Sequence, residues 1–293
     1  MRNPNKIKKI GVFDVFNVSW MVVFAFFCLL PIIIMISASF STDTNLTLYG
    51  YTLLPKAWSV EAYRIVFKGG ASLIRAYGVS ILVTLIGTVL NLFLSAMIAY
   101  PLSKGKYKYK NWITYLLLVT MLFSPGTIPT YILITQFLQW KDTLWVMIIP
   151  QIGSTFNIIL LRTFFKEIPQ EIGESAKMDG CSVFREFLTI DLPLSMPALA
   201  TCAILISLNY WNDWGTPYLY IKDNALWPIQ YLMVNLANQV QAYKEMAGLG
   251  VATESTDSII MATCILGTLP ITVVFLSLQK YIVKGMTVGA VKG

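Results

Sequence analysis

Residues 18–40, VSWMVVFAFFCLLPIIIMISASF, contain no charged side chain. About 20 apolar residues suffice for a helix to cross the hydrocarbon core of a bilayer. A helix on the surface of a soluble domain keeps one polar face, and this run has none. Five more predominantly apolar stretches follow, 76–100, 112–134, 143–165, 196–215 and 259–279, with Arg162 and Asp213 near the ends of two of them. The composition agrees, with 56% hydrophobic and 13% charged residues among 293 and a mean hydropathy of +0.64. The chain is therefore expected to be an all-α integral membrane protein with six transmembrane helices. Pro31, Pro125, Pro129, Pro150 and Pro270 fall inside these spans, where bilayer helices tolerate proline if neighbours satisfy the freed carbonyls. The first run exceeds a signal peptide's apolar core, and no small-residue cleavage pattern follows promptly, so it is expected to remain as a helix.

The reactive residue types narrow the function. Cys28, Cys181, Cys202 and Cys264 are scattered, with no CxxC pair to suggest a zinc site or a disulfide framework. Histidine is absent, which removes the commonest acid–base catalyst and metal ligand. No GxxxxGK[ST] phosphate loop occurs. A membrane-embedded enzyme would have to do without the usual hydrolytic or metal constellations.

The formal charge of +7 reads as topology rather than as an affinity for nucleic acid. Cytoplasmic connections of membrane proteins carry an excess of Lys and Arg. Here 15 of the 22 lie in the N-terminal tail, the 104–110 loop KGKYKYK, the connection between spans four and five, and the C-terminal tail. Both termini and these two connections are therefore expected on the cytoplasmic side. KGKYKYK is best read as an anchor to lipid headgroups.

One of those connections does not resemble a plain linker. ESAKMDGCSVFREFLTIDLPL, residues 174–194, has six charged side chains in 21. Pro169 suits the first turn of a helix, with Glu171 and Glu174 complementing its dipole. Ile168, Ile172 and Ala176 form an apolar edge. Asp179-Gly180 is expected to end that helix, with Gly180 free to adopt the left-handed conformation. Ser182 is a fair N-cap for a second short helix, and Pro193 and Pro197 mark re-entry into the membrane. From the residues alone two readings stand: a loop lying on the headgroups, or an element docking into a groove of another protein.

Glu174-Ser175-Ala176, three residues, Gly180, nine residues, Ile190, one residue and Leu192-Pro193 resemble the EAA loop of binding-protein-dependent ABC importers. Only Ser175 departs from the usual alanine. "FNIILLRTFFKEIPQEIGESAKMDG" (156–180), "NYWNDWGTPYLYI" (209–221) and "QKYIVKGMTVGAVKG" at the C-terminus resemble the sugar-importer branch and its MalG-like second permease. The resemblance implies a six-helix type I importer permease of the MetI-like fold in a bacterial cytoplasmic membrane. Its divisions would be an N-terminal part (1–75), a permease core (76–279) with the coupling loop at 168–194, and a cytoplasmic tail (280–293). It implies a homologous permease, two ATPase subunits and an extracytoplasmic solute-binding protein as partners. This chain would bind no cofactor, and ATP and Mg would be used by the ATPases. In the family the loop sits in a cleft of the ATPase. That assigns the contact to Glu174, the joint to Gly180 and packing to Ala176 and Met178, with Ser175, Asp179, Ile190, Leu192 and Pro193 completing the motif. The tail, with Lys284, Gly285, Gly289 and Lys292, has two readings: a frayed end anchored by Lys280 and Lys284, or a contact reaching between the ATPases.

On the outer side, Asn209, Trp211, Asn212, Asp213 and Trp214 interleave ring faces with hydrogen-bonding groups. They suit an interfacial aromatic belt or structural packing, and also a sugar in the pathway. Asn91, Gln136, Gln151 and Asn157 are read as glue between helices. The loop 41–75 contains WSVEAYRIVF, an expected interfacial helix. The loop 216–258 is long enough for a docking surface or a lid. The function expected is import of an oligosaccharide, complex or acidic, delivered by the solute-binding protein. The alternatives are a permease for a non-sugar solute and an ion-coupled carrier. Against the carrier, no charged residue sits mid-span except Asp213 near the edge of one, whereas such a mechanism ordinarily uses an intramembrane carboxylate.

Overall fold

The computed structural model of the chain describes residues 11–68, 70–104, 107–248 and 257–290. Arg2, Lys6, Lys8, Lys9, Lys106 and Lys292 lie outside them. Among the described residues the structure is helical, with one isolated bridge between Ser41 and Trp58 and no strand. Two compact units are present, Met1–Gly69 with Leu236–Leu266, and Gly70–Asn235 with Gly267–Gly293.

The first unit begins with α1 (Val12–Ser39), which runs unbroken through Pro31. Its apolar side chains point outward on every side and most are exposed, as expected of a helix surrounded by lipid or by other helices. Its last turn is closed by hydroxyls: Ser39 Oγ donates to the Ile36 carbonyl (2.7 Å) and Ser41 Oγ to that of Ser37 (2.8 Å). Two short helices follow, α2 (Asp43–Tyr49) and α3 (Glu61–Lys68). α3 is the helix expected in WSVEAYRIVF. Tyr63 on it stacks on Phe40 at 4.9 Å and shares a 2.9 Å hydrogen bond with Ser39.

The second unit is built on α4 (Gly70–Ser103), longer than the 76–100 expected. Ser80, Thr84, Gly87, Asn91, Ser95 and Ala99 recur every three or four residues along it, and all are buried. Such a stripe of small and weakly polar residues lets helices approach closely. Gly87 shows how closely, because a β-carbon there would lie 2.6 Å from Cζ of Tyr210.

Three of the expected spans are bent. α5 (Lys110–Leu122) meets α6 (Thr127–Ile132), continued by a π turn over Leu133–Phe137, at 105°. α7 (Trp145–Ile148), with a 3-10 turn over Ile149–Gln151, meets α8 (Thr155–Glu167) at 50°. α9 (Gln170–Met178) precedes α10 (Val183–Glu186), a π turn over Phe187–Asp191 and α11 (Leu192–Leu194). These last three elements meet α12 (Met196–Trp211) and α13 (Gly215–Tyr220) at 82°. Pro125 and Pro150, expected inside spans, both stand at breaks. Each proline removes a backbone donor, and Gly126 (φ +86°) and Gly153 (φ +80°) then turn the chain through left-handed backbone.

A 3-10 turn over Asn224–Leu226 leads to α14 (Ile229–Gly248), so much of the loop 216–258 is helical. The final helix, α15 (Asp257–Ala290), passes the expected end at residue 279. Lys284, Gly285 and Gly289 therefore lie on helical backbone. Isolated glycines cost a helix about 1 kcal/mol each relative to alanine and need not end it. Among the described residues, by length and hydropathy, α1, α4 and the Asp257–Ser277 part of α15 can each cross a membrane, and up to six crossings result if each bent pair is one.

Candidate functional site

The segment from Ile168 to Leu194 is folded by local signals. Pro169 stands at the N-cap of α9 with extended backbone (ψ 132°), one position before the first turn where the sequence placed it. At the other end the Cys181 N–H donates to the Ala176 carbonyl (2.9 Å) and the Gly180 N–H to that of Lys177 (3.1 Å). These paired bonds around a left-handed residue form a Schellman ending. Gly180 has φ +77° and open space around its missing β-carbon, so backbone conformation alone calls for glycine there. Ser182 caps α10, its Oγ accepting from the Arg185 N–H at 3.4 Å.

Glu174, Ser175, Met178 and Asp179 face outward, Met178 with 89% of its surface exposed. Glu174 has no ion pair among the described residues. Ser175 Oγ donates to the Glu171 carbonyl (2.9 Å), using its extra hydroxyl within its own helix. Ala176 is buried against its own chain and leaves little surface for a partner. The inward edge of α9 is Gly173 and Ala176, whereas Ile172 is exposed. Ile190 and Leu192 are half-buried and Pro193 is exposed.

Beneath this segment lies a charged cluster that the sequence reading missed. Glu186 and Asp191, each 1% exposed, converge on Lys104 at the end of α4. Lys104 Nζ donates to Glu186 Oε1 at 3.1 Å and to Asp191 Oδ1 at 3.2 Å, and lies 4.7 Å from the centre of the Tyr100 ring. Lys177 on α9 is 3.8 Å from Glu186 Oε2. Gly173 makes room for the carboxylate, since a β-carbon there would lie 2.5 Å from Glu186 Oε1. Nearby, Arg162 Nε donates to the Leu102 carbonyl (3.1 Å) and satisfies one of the orphan acceptors at the end of α4.

A second polar network holds the break between α7 and α8. Asn91 Nδ2 donates to the Gln151 carbonyl (2.8 Å), and its Oδ1 accepts from the Gly153 N–H (3.3 Å) and Ser95 Oγ (3.0 Å). Tyr210 OH donates to the Ile148 carbonyl (2.8 Å). Gln151 Nε2 donates to Asp213 Oδ2, and the Thr216 N–H donates to Asp213 Oδ1 (3.0 Å). Asn91 thus joins backbone across the break, and Gln151 ties it to Asp213.

The five outer residues are split by this arrangement. Trp211 is buried, its Nε1 donating to the Gly267 carbonyl (3.3 Å), and lines an apolar groove of about 570 Å³ with Tyr77, Thr84, Thr88 and Pro270. Trp214 is half-exposed and packs edge-on to Tyr218. Asn209 is exposed, and Asn212 accepts from Gln230 Nε2 at 3.3 Å. Farther along, Asp142 accepts from the backbone N–H groups of Lys222 and Asp223. The Lys222 bond, more than any nearby charge, holds its carboxyl below the usual range.

Residues 92–288 match the family described as binding-protein-dependent transport system inner membrane component. Protein LplC of Bacillus subtilis (strain 168) is 38% identical over 287 residues, covering 96% of this chain and 95% of LplC. The polygalacturonan/rhamnogalacturonan transport system permease protein YtcP of the same organism is 37% identical over 285 residues, covering 96% and 99%. A crystal structure of a bacterial ABC transporter involved in the import of the acidic polysaccharide alginate contains a chain of the same fold. Its TM-score is 0.79 at 26% identity, covering 95% of this chain and 99% of that one. With more than half its length matched by the family and relatives alike from end to end, the chain belongs to the binding-protein-dependent transport system inner membrane components.

Proposed function

We propose that this chain is one half of the membrane pathway of an ATP-driven importer of acidic oligosaccharides. It is a non-catalytic subunit that moves its cargo inward by alternating access. A homologous permease completes the pathway, a solute-binding protein delivers the sugar from outside, and two ATPases on the cytoplasmic side supply ATP hydrolysis with Mg. Both termini and the Ile168–Leu194 segment lie in the cytoplasm, a placement supported by the Lys and Arg distribution.

The observation that carries the reading is the form of that segment. α9 shows Glu174 and Met178 to the outside, while its inner edge rests on a buried ion cluster. A rigid, charged helix–turn–helix held this way suits docking into a cleft lined by cations. The substrate class rests on likeness to YtcP, named for polygalacturonan and rhamnogalacturonan, and to the alginate transporter.

The test is uptake by proteoliposomes containing this chain, the homologous permease and the ATPases, with the solute-binding protein outside and ATP inside. Uronate oligomers should enter and should stimulate ATP hydrolysis, whereas neutral oligomers of the same length should do so at least about tenfold less well, a difference of 1.4 kcal/mol. Equal uptake of neutral oligomers would overturn the acidic class. ATP-independent uptake abolished by an uncoupler would overturn the mechanism.

A further inference from the structure

We infer that Lys104 is the positioning residue through which the Gln170–Leu194 segment moves α4. The inference rests on the coupling role proposed above and names the joint by which motion leaves the segment. Glu186 ends α10 and Asp191 ends the π turn, so two successive elements end in carboxylates on one ammonium group. Lys177 brings α9 to the same Glu186. The whole segment therefore meets the end of α4 at one charged joint.

The rest of that contact is apolar. Tyr100 and Phe187 pack with ring centres 5.0 Å apart, and Phe165 lies edge-on to Tyr100. Apolar surfaces bind without direction and can slide over one another. A buried ion pair cannot slide cheaply, because separating it leaves charge in a medium that solvates it poorly. Displacement of α9 and α10 by an ATPase is therefore passed to Lys104, and through it to α4. Farther along α4 lie Asn91, which holds the α7–α8 break, and Thr84 and Thr88, which line the groove with Trp211. Glu174 makes the outside contact, and Lys104 holds the element behind it.

The experiment measures ATP hydrolysed per sugar imported, using the complete complex in proteoliposomes. Lys104→Met leaves Asp191 without a cation and Glu186 with Lys177 alone, and should raise this ratio at least about tenfold. Glu186→Gln keeps the shape but removes a charge and should raise it about threefold. Lys104→Arg, whose fork can serve both carboxylates, should keep it within about twofold of the wild type. A structural role alone would lower the yield of complex and leave the ratio of the surviving molecules unchanged, for all three variants; that result overturns the inference. If Lys104→Met fails to assemble, the isosteric Glu186→Gln decides by the same ratio. A wild-type complex that imports no sugar would refute the proposed function, whereas wild-type import with unchanged ratios in the variants refutes only the joint.

Discussion

Gly173 and Gly180 lie seven residues apart and are glycines for different reasons. Gly180 has left-handed backbone with nothing near its missing side chain, whereas Gly173 is helical and faces a carboxylate. Substitution should separate the two causes. Gly180→Asn should be tolerated, because asparagine adopts left-handed backbone, while Gly180→Val should cost ~1–2 kcal/mol or more. At Gly173 both Asn and Val should destabilise, because any β-carbon displaces Glu186 from Lys104. Thermal unfolding of the purified complex is the readout, and a Gly173→Asn complex as stable as wild type would contradict the account. The joint at Gly180 was legible because capping signals are local, with Pro169, Gly180 and Ser182 each acting on their own turn. The cluster was not. Glu186 and Asp191 are five residues apart, which in an α-helix places them about 140° apart around the axis. The π turn brings both to one side, and no residue of FLTID announces it.

At the scale of elements, the same limit explains the bent spans. Residues 112–134 and 143–165 are predominantly apolar, so hydropathy reads each as one span. What permits the break at Ile149–Gly153 is Asn91, about 60 residues earlier, which supplies a donor and an acceptor to backbone groups that have left their helix. A side-chain partner that distant has no signature in the local pattern. Asn91→Leu should orphan the Gln151 carbonyl and the Gly153 N–H at ~1–3 kcal/mol each. Asn91→Asp would keep the acceptor and lose the donor, and should fall between. Melting temperatures in the order wild type, Asp, Leu are the expected outcome, and a Leu variant that melts with the wild type would show that the break holds itself.

At the scale of the whole molecule, the proposed role is that of a pathway driven by its partners. No phosphate loop is present in the sequence, and the chain belongs to a family of membrane components of larger systems. Purified alone, it should hydrolyse no ATP above the background of an empty preparation. Within the complete complex, hydrolysis should rise when sugar-loaded binding protein is added. Turnover by the isolated chain would be incompatible with a purely transport role.

The charged joint also sets an order of events during synthesis. Lys104 leaves the ribosome 82 residues before Glu186 and 87 before Asp191. Throughout that interval it is a cation just past the second apolar run, without the two carboxylates it meets in the folded chain. Only when the later carboxylates arrive does it gain its ion partners, with about a third of its side chain still exposed. In the proposed topology one lysine would serve twice, first as one of the positive charges that set orientation and then as the joint of the folded chain. An early replacement of that charge would be felt at insertion, before any folded protein exists to lose a contact.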